Sequence, residues 1–534
     1  MHPYIQSPSL HQASESQTWG VAMKFWIALL ALAGLTTPAV AAWREAASEH
    51  FVIYADTSER DVREFAETLE RFHAAMELRT GRKIDSPSPS NRVTIYVVGS
   101  ETRLKELYGN RNSAVAGFYV PRAGASVAFT PYIRLWDRDS FSTQILLHEY
   151  AHHFLISTSR HAMPRWLSEG AAEYFSSAEF GRDGSVTIGM PNNNRAYELA
   201  NAREVPLMAL LDRATYAERR GNRYDAFYGR SWLLFHYLTY SPERAGQLSR
   251  YWAAVAEGHG SLAAANAVFG DLDQLESELR SYNRQRRMAA TRYASEDIVI
   301  SNVTVRRLSE GMDAMMPVIM RSRRGVGEED APDILSDARE IASRYSDDAE
   351  VLAALAEAKH DAGLHDAAIV TADQAISLDP ARTNAYVQKI YALFAKAEDA
   401  DDAAPFYTVA LEPIMALNRI ENDHPIPLIY LYRSEIERGL APSENAQAAL
   451  ERASQLAPFD HGLTVTLASM FASQGYPRLA ADILGPVAAN PHGGSRARLA
   501  SQLIDHLVTA KEGQSVKIDI NEMVDSDEEE EIRS

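Results

Sequence analysis

The sequence predicts an α+β domain followed by an all-α domain of stacked helical hairpins, and three observations carry that prediction. Residues 43–140 alternate short β-branched or aromatic runs with helical stretches. An apolar helix-forming segment at 144–155 then carries two histidines four residues apart. From about 330 to 507 the chain becomes Ala- and Leu-rich, punctuated by Gly and Pro.

The elements follow in order. Lys24, the apolar run 25–35, Pro38 and the small residues Ala39-Val40-Ala41-Ala42 have the order of a secretory leader. The run is too short to span a bilayer comfortably. Residues 1–42 are therefore expected to be a cleaved signal peptide, with an uncleaved anchor as the alternative. Met23 directly precedes Lys24, so 1–22 reads as an over-called start. The expected product is periplasmic or secreted, with no stable membrane span after cleavage.

Beyond the leader, 50–54 reads as a strand, and 59–81 as an amphipathic helix with Val62, Phe65, Ala66, Leu69, Phe72 and Met76 on one face. A second strand at 92–98 and a short helix at 101–108 follow. Two strands, 115–120 and 125–130, flank Pro121-Arg-Ala-Gly124 as a hairpin, and a helix begins near Ser140. The first domain is placed at 43–285, and 286–330 is a connecting segment with a strand-like stretch at 298–305 and a linker at 321–330. Residues 331–510 form the repeat domain, and 511–534 a disordered tail that includes the acidic run 525–532.

In the repeat domain, 354–363 is followed by Ala367-Ala368 and closed by Leu378-Asp-Pro380, and 467–475 by Ala480-Ala481 and Asn490-Pro491. Small residues where two helices touch, a turn Gly and a closing Pro are what a stacked helical hairpin requires. These units resemble tetratricopeptide repeats, clearly in those two and loosely in the stretches 386–417 and 426–456 between them. An ordinary helical domain stays open as the alternative. The resemblance implies a protein partner bound through the repeats.

Composition narrows the function. A net charge of -19 opposes binding to a phosphate backbone, so no nucleic-acid partner is expected. Cysteine is absent, which removes disulfides, thiolate metal sites and a cysteine nucleophile. Any metal must be held by His and carboxylate.

Gln144-Ile-Leu-Leu-His148-Glu149-Tyr-Ala-His152-His-Phe-Leu155 meets that condition. One helical turn puts His148 and His152 on the same face, at a separation one tetrahedral zinc ion can bridge. Glu149 stands beside them at the rim, where a carboxylate acts as general base without occupying a coordination position. His153 faces away by helical phase, and His161 sits in the following loop. A third His at the metzincin spacing is missing, because Leu155 and Thr158 occupy the required positions.

The third ligand is expected from a second helix, Met163-Pro164-Arg-Trp-Leu167-Ser-Glu169-Gly-Ala-Ala-Glu173-Tyr-Phe175. Glu169 closes the shell, with Glu173 as competitor for that role. One turn on, Glu173 is placed to accept the outer ring N–H of a ligating histidine.

Together these motifs resemble the gluzincin metallopeptidases, the thermolysin and aminopeptidase clan, and are most similar to bacterial peptidase MA-like proteins, over roughly 43–285. That resemblance implies a zincin-like fold, one catalytic zinc on His148, His152 and Glu169, Glu149 as base, and Glu173 behind the ligands. It also implies that the 124–130 strand is the sheet edge to which an extended peptide adds. The Gly-x-Met-Glu-Asn segment of the aminopeptidase branch is absent, which points to an endopeptidase. Tyr228, in the aromatic stretch 227–237, is the candidate oxyanion donor, with a packing role as its alternative, and His236 reads as packed or surface. Two functions remain: a zinc peptidase acting on an exported protein or peptide, and a catalytically silent scaffold whose repeats bind proteins.

Overall fold

The structure, a computed structural model, describes residues 42–132, 140–159, 161–219, 224–490 and 492–518. The leader expected at 1–42, apart from Ala42, and the acidic run 525–532 lie outside the described residues.

A hairpin of β1 (Arg44–Ala47) and β2 (Phe51–Ala55) leads into α1 (Glu59–Thr80), which crosses over to β3 (Val93–Val97), parallel to β2. Ser58 begins α1 by accepting a hydrogen bond from the Asp61 amide. Following α2 (Glu101–Tyr108), β4 (Phe118–Val120) turns back as β5 (Val127–Thr130), which pairs in parallel with β3. With β9 (Thr304–Arg307) returning beside β1, the strand order is β4-β5-β3-β2-β1-β9.

Period-two alternation gives this sheet two different faces. Ile53, Ile95 and Ala128 share one face and pack into the core that includes α1. Tyr54, Tyr96, Phe129 and Phe118 share the other, as an aromatic ladder with ring separations of 5.4, 5.3 and 4.7 Å.

The edge expected at 124–130 is corrected by this order. β5 is flanked by β3 and β4, all four of its residues are buried, and the exposed edge at that end is β4. The cause is the parallel β3–β5 pairing, which leaves the first strand of the hairpin outside.

Helices α3 (Phe141–Ser157) and α4 (Arg165–Ser176) come next. Two short strands, β6 (Glu179–Phe180) and β7 (Val186–Ile188), precede α5 (Asn193–Asn201), α6 (Leu207–Leu211), α7 (Arg213–Arg219), α8 (Phe227–Tyr240), α9 (Gln247–Ala256), α10 (Ser261–Phe269) and α11 (Leu272–Asn283). No helix among the described residues is long and apolar enough to cross a membrane.

The segment 286–330 is not a bare connection. β8 (Thr291–Tyr293) pairs with β7, β9 extends the large sheet, and α12 (Glu310–Arg324) runs into the start of the linker expected at 321–330. Met312, Met315 and Met316 of α12 pack with Tyr96 and Phe129, so burial of the ladder face fixes the segment.

The remaining helices form an array of helical hairpins. α13 (Ala331–Arg344) packs on α14 (Ala349–Asp361), which pairs with α15 (His365–Leu378). α16 (Thr383–Glu398) pairs with α17 (Ala404–Ile420), α18 (Pro425–Ile436) with α19 (Glu444–Leu456), and α20 (His461–Ser473) with α21 (Pro477–Ala489), before α22 (Gly494–Leu507). Ala368, Ala372, Ala375, Ala453 and Ala480 are fully buried where helices meet. A side chain larger than methyl there would hold the helices apart.

Residues 511–518 depart from the disordered tail expected at 511–534. The Val516 amide bonds the Ala472 carbonyl at 2.9 Å, and Val516 and Ile518 are buried. Gly475 has φ 87° and lies so close to Gly513 that a Cβ would come within 2.9 Å of its backbone.

The array also grips the sheet's loops. The Ala123 amide at the β4–β5 turn donates to Asp460 Oδ2 at 2.9 Å, and Ser90 donates twice to Glu421, at 2.9 and 2.6 Å.

Candidate functional site

α3 starts at Ser140, whose hydroxyl accepts the Thr143 amide, and it is buried on nearly all sides. Such a helix is held by burial rather than by one face, so its buried polar side chains need partners. α4 lies against it and against α8. Gly170 permits the second contact, since a Cβ there would fall 2.5 Å from the Ser231 carbonyl oxygen. The close approach fixes neighbouring Glu169, which is 0% exposed.

His148, His152 and Glu169 meet at one point. Their ligand atoms all lie within 4.8 Å of one another, the one such group among the described residues. The two Nε2 atoms are 3.0 Å apart, and Glu169 Oε2 is 3.3 Å from that of His148 and 3.5 Å from that of His152. Tetrahedral bonds of about 2.0–2.1 Å imply ligand separations of about 3.3 Å, so the trio fits a zinc ion.

The outer ring nitrogens are tied as well. His148 Nδ1 is 3.2 Å from Glu173 Oε1, and His152 Nδ1 is 3.2 Å from the Ser168 hydroxyl. Glu173 Oε2 accepts from Asn192 Nδ2 at 3.0 Å and forms an ion pair with Arg195 Nε at 2.9 Å. Asn192 also caps α5, which fixes that amide.

Charge is concentrated here. Burial alone would depress the His148 imidazole, but the Glu169 and Glu173 carboxylates outweigh it and push its pKa up to about 10. Burial would likewise raise Glu169, yet His148, His152 and His492 hold it well below the usual carboxylate range.

Glu149 is half-buried and lines a cavity of about 380 Å³ beside the trio. Tyr119, Met163 and His161 also line it, as do Phe459, Asn490 and His492 of the helical array. Tyr228, near the start of α8, stands with its ring facing the Arg165 and Arg195 guanidiniums at 5.8 and 5.1 Å. Burial, and then the Glu169 charge, raise its phenol to about 12. It does not line the Glu149 cavity.

The other histidines are placed apart from the trio. His153 bonds the Tyr119 hydroxyl at 2.7 Å, and burial drives its pKa down to about 3, so it is neutral. His236 is buried between the Tyr282 hydroxyl and the Gly189 carbonyl, at 2.9 and 3.0 Å.

No protein-family model matches the chain, and no curated protein matches it. Among solved structures, a thermophilic TPR protein of Thermus thermophilus is similar, at 15% identity and TM-score 0.31, covering 38% of this chain and 100% of its own. A MamA RS-1 ArsTM double mutant is similar at 18% identity and TM-score 0.25, covering 37% of this chain and 96% of its own.

Sequence reasoning missed Ser168, Asn192, Arg195 and His492. Ser168 adjoins Glu169 and was within reach of a closer reading. Asn192 and Arg195 belong to a polar run with no periodicity, and His492 lies in the far repeat, where no local pattern ties it to α4.

Proposed function

We propose that this protein is a zinc-dependent peptidase of the gluzincin type, which hydrolyses peptide bonds of an exported protein or peptide while the helical array recruits or positions substrate or partner. One observation carries the reading: three ligand atoms converge within 4.8 Å in a buried place, beside a cavity lined by the carboxylate residue Glu149. His148, His152 and Glu169 are the residues that would hold the ion, and zinc would supply Lewis acidity toward the scissile carbonyl.

The protein's own groups account for the remaining steps. Glu149 takes a proton from the attacking water and delivers it to the leaving amine. Glu173 and Ser168 fix the ring orientation of His148 and His152. Tyr228 keeps its proton at neutral pH and is the proposed donor to the oxyanion.

A second reading is a catalytically silent zincin-fold scaffold in which the repeats bind another protein. Peptide-library cleavage by wild type and Glu149→Gln separates the two. The peptidase reading expects a loss of about 10²–10⁴-fold with zinc retained. Equal cleavage by both, or none by wild type, would sink it.

A further inference from the structure

The strongest feature outside the sequence motifs is a contact between the first domain and the last repeats. His492 follows α21 in the helical array, and its Nε2 lies 3.1 Å from Glu169 Oε1. Glu169 thereby divides its two oxygens. Oε2 faces the imidazoles of His148 and His152, and Oε1 faces His492. These are ion-pair contacts, and neither oxygen has a hydrogen-bond partner of good geometry among the described residues.

His492 is also not one of the converging atoms, since the group within 4.8 Å comprises only His148, His152 and Glu169. Its ring stands edge-on to that of His152 at a centroid distance of 6.0 Å. Its reach is therefore to the carboxylate, not to the point on which the trio converges.

A carboxylate with one oxygen anchored cannot rotate freely about its last bond, so the other oxygen keeps its direction. α4 by itself offers Glu169 no such anchor, because its neighbours Ser168 and Glu173 are spent on the two histidines. The anchor comes from the array, which is held to the sheet through Asp460 and Glu421.

We infer that His492 is a positioning residue for the third metal ligand, so that the metal site of the first domain is complete only when the last repeats are docked on it. This rests on the zinc-site reading above. It gives the array a role distinct from recruitment: it is part of the site's framework, and a partner that pulled the last repeats away would loosen Glu169.

The test is zinc affinity of the full chain, measured by competition with a chromophoric chelator, together with the visible absorption spectrum of the cobalt-substituted protein. Four variants are compared with wild type: His492→Ala, His492→Gln, Glu169→Ala, and the double variant His492→Ala with Glu169→Ala. His161→Ala, on the same cavity but not bonded to Glu169, is the control. The expected result is zinc binding weakened about 10–100-fold in His492→Ala, largely restored in His492→Gln, whose amide can still donate, and unchanged in His161→Ala. In the Glu169→Ala background, His492→Ala should add nothing, and the cobalt spectrum of His492→Ala should keep the wild-type coordination number. Unchanged affinity in His492→Ala overturns the inference, as does an equal further loss in the Glu169→Ala background. Wild type without zinc binding would instead remove the zinc-site reading itself, and the inference with it.

Discussion

Two buried polar clusters sit on opposite faces of the same sheet, and they are built on opposite plans. At the α3–α4 contact, two imidazole nitrogens and a carboxylate oxygen point at one another, with separations of 3.0 to 3.5 Å. At the junction of α12 with the array, opposite charges alternate instead. Arg323 donates to Glu357 and Asn384 at 3.1 and 3.0 Å, Asn384 donates to Glu357 at 3.1 Å, and Arg122 donates to the Arg323 carbonyl. Buried polarity thus has two meanings. Where opposite charges alternate, the groups pair with one another and serve structure. Where acceptor atoms converge, a cation is the natural complement.

That contrast can be broken in order of effect. Glu173→Gln keeps volume but turns an amide toward His148 Nδ1, and should weaken zinc binding about 10–100-fold, or about 1.4–2.8 kcal/mol. Chelator competition measures this, and an unchanged affinity would mean that Glu173 does not orient the ring.

Next in size is Arg323→Gln, which leaves Glu357 without its charged donor and should lower folding stability by about 1–2 kcal/mol. Zinc affinity should stay at the wild-type value. A parallel fall in affinity would show that the two clusters are not separate.

The smallest effect is expected from Asp361→Asn. Burial, then the Glu357 charge, push the Asp361 carboxyl up to about 7 from an ordinary 3.8. A raised acid favours folding in its neutral form, so its contribution is complete below the ordinary value and is lost as pH rises through about 7. Asn stays neutral throughout. The Tm of the variant relative to wild type should therefore climb between about pH 4 and 7 and level off above. A gap independent of pH would contradict the assignment.

What the sequence made legible follows from the range of its patterns. The nearness of His148 and His152 needs only one helical turn, and the approach of Glu169 needs only a short loop and a second helix. Strand and helix positions from β2 to β5 follow from alternation and helical period, while β1 was not foreseen, and the buried alanines mark the hairpin contacts. Pairing order was not legible. Nothing local to 124–130 reveals that β4 lies outside β5, because that depends on β3 claiming the other side. The strand-like stretch at 298–305 reduces to β9, Thr304–Arg307, where β1 offers a partner. Val516 and Ile518 were hidden beside an acidic run, although two apolar residues spaced by one suffice to dock a short extended segment. His492 was the least legible, since tertiary folding alone brings it to Glu169.

The proposed metal centre requires three side chains from α3 and α4 to hold one ion. Metal analysis with calorimetric zinc titration is the decisive experiment, on wild type, His148→Ala, His152→Ala and Glu169→Ala. One zinc per wild-type chain is expected, with a severe loss of affinity in each variant. Wild type that takes up no zinc, or variants that bind it as wild type does, would contradict the assignment.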